Sequence, residues 1–232
     1  MRPKALKYNT LPYNLIKVDF LNFFKNPNQK FMGPFKRDFF IFLILTLLNF
    51  LSVYVKSLFT HNPFIDEGDL AKFNSAKLFS FVLLIPLIEE LVFRGFLQYK
   101  SRLIFMLSAI AVLFFTSSFI KLETASTAIL VMVSILSLIV LFNKRAYHAM
   151  LRFIARNTIA ITLISAILFG FVHLFNYDTF IWLNLIPIAD KIISGLFLCY
   201  IAKKYSIWHS YFFHALNNLI PFLLILLYQL IQ

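Results

Sequence analysis

Apolar runs of about 20 residues recur from Phe39 to the C-terminus, each long enough to cross a hydrocarbon slab of about 30 Å at about 1.5 Å of helical rise per residue. A soluble core could hide one or two such runs. It could not absorb this many, because 60% of the 232 residues are hydrophobic and only 14% are charged. The expected fold is therefore all-α, a polytopic transmembrane helical bundle of about seven spans, at 39–59, 78–99, 103–120, 124–142, 157–176, 180–202 and 207–231. Residues 39–232 read as one helical membrane domain. Residues 1–38 carry eight Lys or Arg, are broken by Pro12, Pro27 and Pro34, and contain no run of that length. They read as a basic N-terminal arm at the membrane surface. No compact apolar stretch followed by a small-residue cleavage site marks a signal peptide, and no internal repeat is visible. The single Cys199 lies inside an apolar run, so a disulfide framework and a cysteine metal site are excluded and a buried, small apolar role is expected.

The charges between the runs give an orientation. The N-terminal arm, the Lys100 and Arg102 turn, the connector "NKRAYHAMLRFIAR" and the Lys203-Lys204 turn are basic, whereas the alternate connections read "HNPFIDEGD", "KLE" and "NYD". With seven spans all the basic segments fall on one side, so the N-terminus is expected in the cytoplasm and the C-terminus outside, in a plasma membrane. Basic loops beside anionic lipid account for the net charge of +12 without a nucleic-acid partner, and no nucleic-acid motif accompanies them.

The run "LLIPLIEELVFRGFLQ" contains Glu89, Glu90 and Arg94. Each charge costs about 2.5 to 3.5 kcal/mol at mid-membrane on insertion scales, so all three must face a protein interior. Glu90 and Arg94 are four apart, glutamate first, and form a helical ion pair. Glu89 points about 100° away and is left over. A spare intramembrane carboxylate is a functional candidate. His173 follows Phe169 by four residues in "FGFVH", and His214 precedes Asn218 by four in "HALNN". A histidine in an apolar helix is ordinarily a neutral ring bonded to a backbone carbonyl. Two of them beside a free carboxylate supply a base, an imidazole to orient it and donors for an oxyanion, the parts needed to add water to a carbonyl.

In order, these segments resemble the EExxxR, FxxxH and HxxxN motifs of the CPBP family, which comprises CAAX prenyl endopeptidases and bacteriocin-processing or immunity (Abi) proteins. The resemblance spans roughly Leu78 to Pro221. It implies an intramembrane endopeptidase acting on a peptide or protein substrate, prenylated in the CAAX branch. Glu89 would activate water with help from His173, His214 and Asn218 would polarise the scissile carbonyl and hold its oxyanion, and Glu90 with Arg94 would be the supporting pair. No cofactor is preferred. Zinc held by Glu89, His173 and His214 is the alternative, since two histidines and a carboxylate suit that metal, although HExxH is absent. A non-catalytic immunity or peptide-binding protein on the same fold is the competing function. A transporter would show repeated halves or paired broken helices, and neither is visible.

Some features depart from that pattern or stand outside it. Arg94 and His173 are 79 residues apart, a length that reads as an inserted hairpin of the spans 103–120 and 124–142. Counting helical rise from the flanking basic residues puts Glu89 and His214 about 15 Å deep and His173 about 25 Å from Arg156, so the span holding His173 must be offset for the groups to meet. Asp178 sits at a span boundary. Asp190 beside Lys191 reads as a compensated pair or a lining of an interior cavity. Asn62 to Phe64, Pro86, Pro187 and Pro221 read as turn and kink signals.

Overall fold

In the computed structural model the described residues are 18–28, 31, 33–60, 75–98, 101–119, 132, 134–135, 137–139, 142–177 and 179–231. The arm up to residue 17, the connections holding Asn62 to Phe64 and "KLE", Lys100 and Asp178 lie outside them. So does most of the apolar segment 124–142, including the start of the inserted hairpin's second half. All secondary structure among the described residues is helical: α1 (Val18–Lys25), α2 (Phe35–Thr60), α3 (Ser75–Phe79), α4 (Ile85–Arg94), α5 (Arg102–Phe119), α6 (Lys144–Arg156), α7 (Thr158–Val172), α8 (Leu185–Lys204) and α9 (Ile207–Ile231). A π-helical turn, Ser80–Leu84, joins α3 to α4 without a break.

Among the described residues three stretches are long and apolar enough to cross a membrane: Phe35–Thr60, Thr158–Asn176 and Trp182–Lys204. The first starts four residues before the apolar count suggested, because Pro34 ends the preceding chain and Asp38 lies in the first turn, where a carboxylate suits the helix dipole. Their burial differs. Of the most apolar window, 56% is buried in the Trp182–Lys204 stretch and 22% in Phe35–Thr60, which makes α8 the central post and α2 an outer wall. Outward faces carry large apolar side chains such as Leu47, Phe59 and Ile164, a surface suited to lipid rather than water.

The basic connector before α7 is itself a helix. Asn143 accepts from the backbone N–H groups of Arg145 and Ala146 and so caps the N-terminus of α6. Lys144, Arg145, Arg152 and Arg156 are exposed, whereas Tyr147 and Ile154 are buried. This two-faced pattern fits a helix lying in the interface plane.

α7 and α8 approach closely because two glycines remove the obstacles. A Cβ on Gly170 would overlap Ile192 Cγ1, and one on Gly195 would stand 3.1 Å from the Phe169 ring and 3.3 Å from both Ala166 Cα and an Arg94 guanidinium nitrogen. A second core joins α1, α2, α8 and α9 through Phe23, Phe42, Phe197, Tyr200 and Phe213. Helix α1 lays Phe20 and Phe23 edge-on against Tyr200, at 5.4 and 5.9 Å between ring centroids. A polar knot closes this end. Asp38, fully buried, accepts from Tyr200, Tyr205 and Lys204, the last at 2.7 Å, and Asp19 of α1 pairs with Arg37 and with Lys204 at 3.3 Å. Lys204 is thus not a free loop charge. The Tyr205 phenol is pushed well above its ordinary range, by burial first and then by its bond to Asp38, and stays a neutral donor. At the opposite end, Lys56 places its ammonium 3.8 Å from the centre of the Tyr177 ring.

Candidate active site

Helix α4 begins with a defect that aims a neighbouring side chain. In the π-turn the Ile85 N–H reaches back five residues to Ser80 O, so the next residue would serve Phe81 O in the same register. That residue is Pro86, which has no N–H. The Phe81 carbonyl instead accepts from Asn218 Nδ2 at 3.1 Å. The kink signal read at Pro86 is therefore part of what holds Asn218.

One turn further along, Glu90 and Arg94 form the expected pair at 3.1 Å, both fully buried. The guanidinium lies close without aligning an N–H on the carboxylate, since its nitrogens have no well-directed acceptor; the attraction is mainly charge on charge. Arg94 also lies 4.1 Å over the face of Phe169. The carboxylate is held from α9 as well, where it accepts from the Ser210 hydroxyl and stands 2.9 Å from His214 Nδ1. Ser210, His214 and Asn218 follow at four-residue intervals, so one face of α9 carries all three.

Glu89 lies on the other side of the same imidazole, with its Oε2 3.3 Å from His214 Nε2. His214 thus stands between the two glutamates. Glu90 at Nδ1 fixes the ring's orientation and presents Nε2 to Glu89. Glu90 is wholly enclosed, while Glu89 retains 8% of its surface, and that remnant opens into a cavity of about 700 Å³.

The cavity lies among α2, the π-turn and α4, α5, the end of α7, α8 and α9. His173, Asn176, Lys191, Asn217 and Asn218 share its wall with Glu89, between Phe50, Phe81, Phe114, Phe115 and Phe222. A narrower recess shares His173, Lys191 and Asn218 with it and is lined by His214 as well. Thr46 donates to Asn217 Oδ1 at 3.2 Å, and this leaves the Asn217 amide hydrogens free to point inward. His173 meets the ordinary expectation for an intramembrane histidine, since its Nδ1 stands 2.7 Å from Phe169 O. A ring nitrogen facing a carbonyl carries the hydrogen, so Nε2 is the unprotonated acceptor. Phe169 is the common platform, edge-on to His173 at 4.8 Å and to His214 at 5.6 Å, with Arg94 on its face.

Glu89, His173, His214 and Asn218 therefore come together at one cavity and its recess, with Glu90 and Arg94 behind them. Glu89 and His173 face the same space without touching; the nearest imidazole to Glu89 is that of His214. The offset that helical counting demanded is met, since His173 lies where α7 gives way to the 3₁₀ turn His173–Asn176 and that turn also lines the cavity. The Asp190–Lys191 pair does not form. Consecutive residues diverge on a helix, and Asp190 is buried with its Oδ2 unpartnered while Lys191 lines the cavity. Sequence reasoning missed Ser210, although its spacing from His214 repeats that of His214 from Asn218, and it missed Asn217 altogether. Among the described residues no three His, Cys, Asp or Glu side chains converge on a point where a metal ion could be held. Cys199 is buried, as expected.

A family model described as Type II CAAX prenyl endopeptidase Rce1-like matches residues 72–220, well over half of the chain and a segment that holds every residue of this cluster. No curated protein and no solved structure matches the chain at a significant level.

Proposed function

The chain belongs to the Rce1-like family of type II CAAX prenyl endopeptidases, and from that membership we propose that it is an intramembrane endopeptidase in which Glu89 activates water. Membership and apolar helices together make it an integral membrane protein. The observation that carries the reading is the division of labour between two adjacent glutamates: Glu90 is sealed against Arg94, Ser210 and His214, and Glu89 reaches a cavity large enough for a peptide segment.

In this mechanism a water lies between Glu89 and His173. The Glu89 carboxylate takes one of its protons as the oxygen attacks the scissile carbonyl carbon, and His173 Nε2 accepts a hydrogen bond from the other hydrogen and so orients the attack. The developing oxyanion is met by His214, whose Nε2–H turns from Glu89, and by the second amide hydrogen of Asn218, whose first is held by Phe81 O. Collapse of the intermediate breaks the C–N bond, and the proton held on Glu89 passes to the leaving amine. Glu90 acts by holding His214 in orientation.

The substrate proposed is a prenylated Cys-aliphatic-aliphatic-X peptide, consistent with the family's description. The reaction is proposed to be metal-independent. Purified protein in detergent should release the same fragments at the same rate with and without excess chelator, as read by mass spectrometry. Loss of cleavage on chelation and its return on adding zinc would replace this mechanism with a metal-assisted one.

Seven spans in a plasma membrane, with a cytoplasmic N-terminus and an external C-terminus, complete the proposal; the exposed basic face of α6 supports it. Reporter fusions after Lys100 and after Arg145 should both read cytoplasmic. An external reading at Arg145 would contradict the two-span insertion between α4 and α7.

A further inference from the structure

Lys191 is a cation the mechanism above does not use. It sits in the interior of α8, a helix apolar enough to cross a membrane, and lines both the large cavity and the narrower recess. It makes no hydrogen bond and no ion pair with any described residue. The neighbouring Asp190 faces elsewhere, and Glu89 is engaged by His214. An ammonium in an aromatic-walled cavity among membrane-spanning helices, with no carboxylate of the described residues in ion-pair contact, is costly to maintain. Such a group is retained where a ligand supplies the missing anion. The walls around it, Phe50, Phe81, Phe114, Phe115 and Phe222, suit an apolar peptide better than a hydrated phosphate, and the anion a peptide carries is a carboxylate.

We infer that Lys191 is a specificity-determining residue that binds a carboxylate of the substrate while the scissile bond lies at Glu89. The inference rests on the endopeptidase reading. The carboxylate is either the substrate's own C-terminus or an acidic side chain near the cut. Lys191 touches the substrate away from the reacting atoms, so its loss removes discrimination between peptides rather than the chemistry.

The test compares three prenylated Cys-aliphatic-aliphatic-X peptides: one with a free C-terminal acid, the same peptide amidated, and an amidated peptide with a glutamate as its last residue. Each is offered to wild type, Lys191→Met and Lys191→Arg, and kcat/KM ratios are taken within each protein so that differences in folded yield cancel. Wild type should favour a carboxylate-bearing peptide over the plain amide at least tenfold, mostly through KM. Lys191→Met should bring that ratio close to one, and Lys191→Arg should restore most of it. Preference for the free acid identifies the C-terminus as the source, and recovery by the glutamate peptide identifies a side chain. A wild type indifferent to the carboxylate, or a Lys191→Met protein that keeps the full preference, overturns the inference. If no peptide is cleaved, the endopeptidase reading fails by itself, and the same ratios measured as binding affinities still decide the role of Lys191.

Discussion

Glu89→Gln should lower turnover by about 10² to 10⁴-fold, the usual contribution of a positioned general base, while peptide binding survives. The substitution keeps the size of the side chain and an oxygen that can still face His214 Nε2, and it removes only the basic oxygen that takes the water's proton. Folding should be little affected, because Glu89 is the glutamate that reaches the cavity and is not the one sealed against Arg94. The loss should therefore fall on kcat, with KM nearly unchanged, as befits a group whose role is confined to the transition state. Product formed per folded enzyme, with binding of the same peptide measured in parallel, checks this. A Glu89→Gln protein that cuts at the wild-type rate would move the base elsewhere in the cavity.

Arg94→Ala should act on the fold itself. The guanidinium is fully buried between Glu90, at 3.1 Å, and the face of Phe169, at 4.1 Å, and it lies where Gly195 makes room for it. Truncation leaves the Glu90 carboxylate enclosed with only Ser210 and His214 as partners and opens a void against Phe169. Breaking a buried pair from one side costs about 3 to 5 kcal/mol. Because Phe169 is also the platform for both histidines, activity should fall together with stability. Thermal unfolding in detergent should show a clearly lowered midpoint and expression should yield less folded protein. An Arg94→Ala variant as abundant and as heat-stable as wild type would mean that the pair does not support the site.

What the sequence made legible follows from short-range rules. Apolar runs of span length became helices in the described parts of all seven segments, because such runs have few alternatives. The pairing of Glu90 with Arg94, and the separation of Glu89 from both, needed only the 3.6-residue repeat. The remainder depends on how helices are offset against one another. That His173 faces the same cavity as Glu89 depends on how α7 packs on α8, where Gly170 and Gly195 allow a close approach, which no count of rise from Arg156 contains. The link from Pro86 to Asn218 needs a π-turn, whose register is invisible in composition. Lys191 lines the cavity, one of the two readings its position in the sequence allows; the other, a pair with Asp190, fails because adjacency on a helix sends two side chains in different directions. The knot of Asp19, Asp38, Lys204, Tyr200 and Tyr205 was overlooked because the two acids are diluted among basic residues of the arm.

The central claim, that a peptide bond is cut at Glu89 and not merely held there, is most directly tested by offering one prenylated peptide to wild type and Glu89→Gln at matched folded amounts, and measuring fragments and bound peptide side by side. The account predicts that wild type yields two fragments from a single cut, whereas Glu89→Gln binds the peptide with similar affinity and leaves it intact. Equal binding by both proteins, with no fragment from either, would contradict it and identify the chain as a peptide-binding member of a peptidase family.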